Sequence, residues 1–191
     1  GASVSFDGSW AAAGAPGDAA DGANQSGDVS IFRADALGLW SHVQALTPPK
    51  LTDVGFGASV ALVGDTLLVA CEFSLAGAAI NGAVYAYRRA ANDTWELEAE
   101  FDDVAPAPLS LAYADLALEE GRAYIGAPRQ PTGTFVQPRY GCVFVWERAP
   151  SGTWTHVDTL QPEEPDTSMR FGSRIDLAGD RLVVASTGSA N

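Results

Sequence analysis

Two histidines, His42 and His156, are the only imidazoles in the chain, and imidazole is the side chain best suited to general acid–base work near neutral pH. Each stands two residues after a tryptophan, Trp40 and Trp154, and the same slot after Trp95 holds Leu97. A slot that accepts leucine does not need a proton carrier. The expectation is therefore two structural or surface histidines, no catalytic residue and no enzyme. No Ser-His-Asp arrangement, metal-type Cys/His cluster or phosphate-cradling glycine loop accompanies them. The loop from Gly17 to Asp28 is the most polar in the chain, and its Asp18, Asp21, Asn24 and Asp28 are the candidate metal ligands. Calcium takes six to eight oxygens, and the spacing is not that of an EF-hand, so a flexible acidic turn is preferred and no cofactor is expected. Asn24-Gln25-Ser26 and Asn92-Asp93-Thr94 are acceptor sequons in loops, and use and accident both stand as readings of them.

Two further groups are open to more than one reading. Arg129, Phe135, Arg139 and Tyr140 border or occupy the longest loop of the third repeat. Arginine and aromatic residues enrich in interface hot spots, which makes this a possible contact loop; the alternative is a loop whose apolar residues fold back on its own sheet. Cys71 and Cys142 could bridge adjacent repeats or act as small buried hydrophobes.

The elements that must position these residues are written as a repeat. Phe56-Gly57-Ala58-Ser59-Val60-Ala61-Leu62, a Gly64-Asp65 turn and Leu67-Leu68-Val69-Ala70 have counterparts in Gly1 to Phe6, Asp7-Gly8 and Gly14-Ala15-Pro16. They have others in Ala117-Leu118, Glu120-Gly121 and Tyr124 to Pro128, and again in Phe171 to Ile175, Gly179-Asp180 and Val183 to Ala185. Third segments match as Gly27 to Phe32, Gly82 to Tyr87 and Gly141 to Trp146. Fourth segments begin at Trp40, Trp95 and Trp154, with Leu46, Phe101 and Leu160 six residues on. An even offset predicts that both members face the same side of a strand.

Each repeat reads as four short strands, near 58–63, 67–71, 83–89 and 95–101 in the second copy, joined by turns rich in Gly, Asp, Asn and Pro. The third strand is apolar on both faces, which suits a strand between neighbouring sheets, and the fourth alternates, which suits an outer strand with one wet face. Repeats of roughly 40 to 60 residues, built from short strands, predict an all-β fold: a β-propeller of four-stranded antiparallel blades, here a partial one of about 3.4 blades. The expected organisation is a single domain over 1–191, with repeats at about 1–55, 56–110 and 111–170 and an incomplete one at 171–191.

Phe56-Gly57, Phe171-Gly172, Gly14-Ala15-Pro16, Gly126-Ala127-Pro128 and the Gly-x-Val-Tyr-like third strands resemble the FG-GAP repeat family, the blades of integrin-α-like propellers. The resemblance implies a propeller used for protein or glycan recognition outside the cytoplasm. Blades of that family often carry an Asp-x-Asp-x-Asp-Gly calcium loop between the first two strands. Here that connection is only Asp7-Gly8-Ser9, Gly64-Asp65-Thr66, Glu120-Gly121-Arg122 or Gly179-Asp180-Arg181. These are two-residue hairpin turns with too few oxygens, so the chain looks closer to calcium-free bacterial-type repeats.

Composition sets softer bounds. The net charge is −13, with ten arginines and the single lysine Lys50, so nucleic acid and anionic membranes are disfavoured by repulsion. No apolar run approaches the length of a transmembrane helix. The expectation is an extracellular or cell-surface recognition or adhesion module, non-enzymatic, with a protein or glycan partner. The alternatives are a structural subunit of a surface layer or filament, and an accessory domain of a secreted enzyme. Because a propeller ring must close, the further expectation is that the rest of a longer chain or a second chain completes it.

Overall fold

The computed structural model describes residues 1–18, 25–74, 82–101, 114–129, 140–163, 169–179 and 181–188. The first sheet runs β1 (Ser3–Asp7), β2 (Trp10–Ala15), β3 (Asp28–Ala34), β4 (Trp40–Leu46), in that spatial order. Next comes a short ladder of β5 (Asp53–Val54) with β8 (Phe73–Ser74), and a second sheet of β6 (Ser59–Val63), β7 (Thr66–Ala70), β9 (Val84–Arg89) and β10 (Trp95–Glu100). The third sheet contains β11 (Asp115–Glu119), β12 (Arg122–Ala127), β13 (Cys142–Arg148) and β14 (Trp154–Leu160). A hairpin of β15 (Phe171–Ala178) and β16 (Arg181–Ser186) follows. Within the sheets every strand pairs antiparallel with its neighbours, and no helix occurs among the described residues.

The first two strands of each sheet are joined by two-residue turns: Asp7 pairs with Trp10, Val63 with Thr66 and Glu119 with Arg122. Gly8, Gly64 and Gly121 take φ of 58°, 57° and 74° there, which lets the turn follow the strand twist. Two of the turn carboxylates, Asp7 and Asp65, are engaged with protein groups. Asp7 Oδ2 accepts from the Gly64 amide at 2.5 Å, and Asp65 pairs with Arg89.

The core lies between sheets, not within one. Inner strands stand side by side, β1 against β6, β6 against β11 and β11 against β15. Val60 and Leu62 of β6 join Trp10, Ala12, Val29 and Ile31 of the first sheet, whereas Ala61, one residue along, joins Leu116 and Leu118 of the third. Strand β9 splits the same way: Tyr85 and Tyr87 pack on the first sheet, Val84 and Ala86 on the third. Full burial of one such large apolar side chain is worth about 1.5–3 kcal/mol, so each sheet is held chiefly by its neighbours. Four-stranded sheets stacked by their faces around shared inner strands make this chain a partial β-propeller.

The outer strands correct one sequence expectation. Trp95 lies in the cluster facing the first sheet and Phe101 in the cluster facing the third; Trp154 and Leu160 divide between clusters in the same manner. The two members of each pair therefore face opposite sides. The cause is a β-bulge that skips one residue in each outer strand, Val43, Glu98 and Val157, always three after the tryptophan. One extra residue reverses the parity of everything beyond it.

The joints between sheets explain the repeated glycines. Gly27 pairs in parallel with Phe56 and Gly141 with Phe171. Gly57 and Gly172, at φ of 89° and 84°, sit on Gly14 and Gly126 so closely that a Cβ on either of the latter would overlap the carbonyl oxygen opposite. The Phe-Gly of one repeat thus seats on the Gly-Ala-Pro of the repeat before it. At the remaining junction both halves change together. Ala70-Cys71-Glu72 replaces Gly-Ala-Pro, and Ala112-Tyr113, outside the described residues, replaces Phe-Gly.

Candidate functional site

One position near the start of each inner strand pairs with the end of its neighbour in one common register: Ser3 with Gly14, Ser59 with Ala70, Asp115 with Gly126 and, past a bulge, Arg174 with Ala185. Ser3, Ser59, Asp115 and Arg174 are therefore equivalent positions. Since the inner strands stand side by side, the four arrive at one mouth. With Ala2, Ala58, Ala114 and Glu72 they line a cavity of about 270 Å³. The next position along these strands keeps one chemical class, as Val4, Val60, Leu116 and Ile175 do. At the mouth the class changes from neutral to acidic to basic.

Asp115 stitches the mouth together. Its Oδ1 accepts from Ser59 Oγ at 3.2 Å and its Oδ2 from the Ile175 amide at 2.9 Å, so one carboxylate ties the second sheet, the third sheet and the last hairpin. Ser3 Oγ donates to the Gly57 carbonyl at 2.7 Å. Glu72 is half-buried and folds over Gly55, whose own Cβ, if present, would meet Glu72 Cβ at 2.8 Å. Arg174 is exposed and lines the same cavity. The mouth thus offers two carboxylates, one guanidinium and two hydroxyls, an arrangement suited to a polar ligand carrying both donors and acceptors.

A second cavity, of about 310 Å³, adjoins the first through Arg174 and is lined by Pro128, Arg129, Arg170, Ser173 and Thr187. A third, of about 520 Å³, opens on the outer strands between Glu98, Glu100, Trp146 and Trp154. Glu98, at the bulge of β10, accepts from Arg148 Nε at 2.8 Å and Nη2 at 2.5 Å, and from Trp154 Nε1 at 3.0 Å. The bonds from Arg148, and then that from Trp154, hold its carboxyl below the usual carboxylate range despite burial.

The residues singled out from the sequence are dispersed. His42 and His156 lie on β4 and β14, in different sheets, and are not brought together. His42 stacks edge-on to Phe32, while His156 contacts Phe144 and Trp146, with Nε2 2.9 Å from Thr159 Oγ1. Of the acidic loop, Asp18 and Asp28 are described, and Asp21 and Asn24 lie outside the described residues. Burial and then the nearby Asp18 push the Asp28 carboxyl up. Among the described residues no three His, Cys, Asp or Glu side chains gather as metal ligands. Asn92 sits in an exposed turn, its Oδ1 accepting from Thr94 Oγ1 at 2.7 Å. Arg129 lines the second cavity and the Tyr140 carbonyl accepts from the Phe171 amide at 2.7 Å; Phe135 and Arg139 lie outside the described residues. Cys71 and Cys142 are buried thiols in different clusters, and burial pushes Cys142 up to about 12.

Sequence reading missed the mouth. The available signal was the column Ser3, Ser59, Asp115, Arg174, whose chemistry drifts while neighbouring columns hold theirs.

No protein-family model and no curated protein matches the sequence. Among solved structures the chain is similar to the periplasmic gluconolactonase of Pseudomonas aeruginosa, with 12% identity and a TM-score of 0.48, over 98% of this chain and 65% of that one. It is also similar to the Bombyx mori GH32 β-fructofuranosidase, seen as a mutant in complex with sucrose, with 11% identity and a TM-score of 0.48, over 95% of this chain and 39% of that one. The chain spans less than two thirds of the length of either. Both are propeller folds, and at such identity the likeness concerns the fold alone. These neighbours correct the expectation that the chain is not an enzyme. Both are enzymes, so an architecture of this kind gives no ground for excluding catalysis; chemistry resides in the site a fold carries. The same likeness assigns no reaction to this chain.

Proposed function

We propose that this protein is a recognition module of the cell surface or extracellular space, built on FG-GAP-like repeats, which takes a protein or glycan partner at the mouth of its inner strands. The observation that carries the reading is the column Ser3, Ser59, Asp115, Arg174, where four repeats converge on one cavity with side chains of different chemistry. Supporting the setting are the acidic composition, with a net charge of −13, and the exposed Asn92 sequon turn. Among the described residues no helix is long and apolar enough to cross a membrane.

The test is a screen of glycan and extracellular-protein arrays, followed by titration of each hit against Glu72→Gln and Asp115→Asn. Both variants keep shape and remove a charge from the mouth. The expected result is a partner whose affinity falls by about tenfold or more in at least one variant, with the melting of Glu72→Gln little changed. Arrays without a hit, or hits indifferent to both substitutions, would count against the reading.

A further inference from the structure

Cations are scarce in this chain, and most described arginines are held in ion pairs: Arg33 with Asp93, Arg88 and Arg89 with Asp65, Arg122 with Glu147, Arg148 with Glu98. Arg129, Arg170 and Arg174 line the cavity of about 310 Å³ beside the mouth, together with Pro128, Ser173 and Thr187. Among the described residues no carboxylate forms an ion pair with Arg170 or Arg174. Arg174 Nη1 donates to the Ser173 carbonyl at 2.9 Å, and Ser173 Oγ to the Ala185 carbonyl at 3.1 Å, so both walls are fixed by local bonds.

The repeat itself shows that the fold does not require these arginines. The same joint between the first and second sheets has Pro16, Gly17, Gly55, Ala58 and Ser59 where this one has Pro128, Arg129, Arg170, Ser173 and Arg174. It has the same parallel bridge and the same glycine contact, without a single charge at those positions. Arg170 is the sharpest case. Its φ is +50°, and its counterpart Gly55 takes φ +70°. The backbone here needs the left-handed region, which glycine enters freely and arginine enters with strain. Strain kept at one copy of a repeat, for a guanidinium on a cavity wall, points to use of that guanidinium.

We propose that this cavity is an oxyanion site that takes the carboxylate of an acidic, uronate-type sugar. The inference rests on the reading of the mouth as a recognition surface. Guanidinium groups present forked N–H donors that match a carboxylate in pairs, and several of them offset the repulsion an anion meets from an acidic protein. The hydroxyls of Thr187 and Ser173 and the apolar Pro128 suit the hydroxyls and flat face of a sugar ring. The volume lies at the small end of ligand pockets, which fits one ring better than an extended chain.

The test titrates glucuronate, with glucose as the neutral control and a short Asp/Glu peptide as the alternative anion, into the wild-type protein and an Arg170→Gly/Arg174→Ser double variant. Each replacement is the residue found at the equivalent position, Gly55 or Ser59, so the double variant should melt no lower than wild type. Expected is saturable glucuronate binding with Kd on the order of 1 mM, no glucose binding, and at least about tenfold weaker glucuronate binding in the double variant. If that variant melts early, Arg174→Lys carries the test, because it keeps the charge, loses the fork and should weaken glucuronate about fivefold or more. Absence of saturation by about 50 mM, equal binding by the variants, or binding of the peptide without glucuronate would overturn the proposal. Array hits that still depend on Glu72 and Asp115 while glucuronate fails would remove this inference and leave the recognition reading standing.

Discussion

Several single side chains in this protein act across sheets, and Glu98 shows the energetic consequence. Its carboxylate and the Arg148 guanidinium are both largely buried, at 14% and 17% exposed, and Trp154 Nε1 supplies a further bond. The folded state therefore favours the charged carboxylate, with Arg148 as the main cause, and lowers its pKa from an ordinary 4.5. A carboxyl whose pKa is lowered on folding stabilises fully above its unfolded pKa and loses that contribution as pH falls through the folded value. Melting temperatures of wild type and Glu98→Gln, followed from pH 7 to pH 3, should differ most at neutral pH and converge in acid. The neutral-pH gap should correspond to about 1–3 kcal/mol, the scale of a hydrogen-bonded charged group lost from a partly buried site. Parallel curves would show that the clamp contributes nothing specific to the charged form.

Between elements, the decisive contacts are backbone against backbone. Gly172 at φ +84° has the Cys142 carbonyl oxygen 2.5 Å from where a Cβ would stand and Gly126 Cα at 3.2 Å. Gly8 at φ +58° has nothing within 4 Å. Both positions strain any other residue, at about 1–2 kcal/mol for the left-handed conformation alone. Only at Gly172 must a neighbouring sheet move as well. Gly8→Ala should therefore cost about 1–2 kcal/mol, and Gly172→Ala clearly more, about 3 kcal/mol or above. Urea melts of the two variants measure this. Equal losses would mean that the joint yields freely and that the glycine pair serves the turn conformation only.

Across the whole molecule, the same residue is core or surface according to what stands beside its sheet. Val4 and Phe6 are 73% and 74% exposed, whereas the equivalent Val60 and Leu62, covered by the first sheet, are 7% and 3% exposed. Trp40 is 49% exposed and its counterpart Trp95 only 2%, with Trp10 edge-on to it at 5.8 Å. Trp95→Ala should cost about 3–5 kcal/mol, as buried tryptophans do, and Trp40→Ala less than about half of that. Denaturant melts of the 191-residue chain check the contrast. Equal large losses would reveal that the outward face of the first sheet is covered in solution.

Local order was legible in the residues alone. Strands expected near 58–63, 67–71, 83–89 and 95–101 occur at Ser59–Val63, Thr66–Ala70, Val84–Arg89 and Trp95–Glu100, because alternation and Gly-containing turns act over a few residues. The doubly apolar β9, sandwiched as expected, follows from the same short-range pattern. Facing beyond the bulge was not legible: Val43, Glu98 and Val157 carry no mark of being skipped, since a bulge arises from pairing with another strand. Nor was the mouth, because Ser3, Ser59, Asp115 and Arg174 are more than fifty residues apart from one to the next and meet only when inner strands gather. The strain at Arg170 is likewise a property of φ, set by the sheet it joins. Sequence by itself determined the repeat and its strands through local chemistry; the tertiary structure alone decided which equivalent residues share a cavity, because that depends on how whole sheets stack.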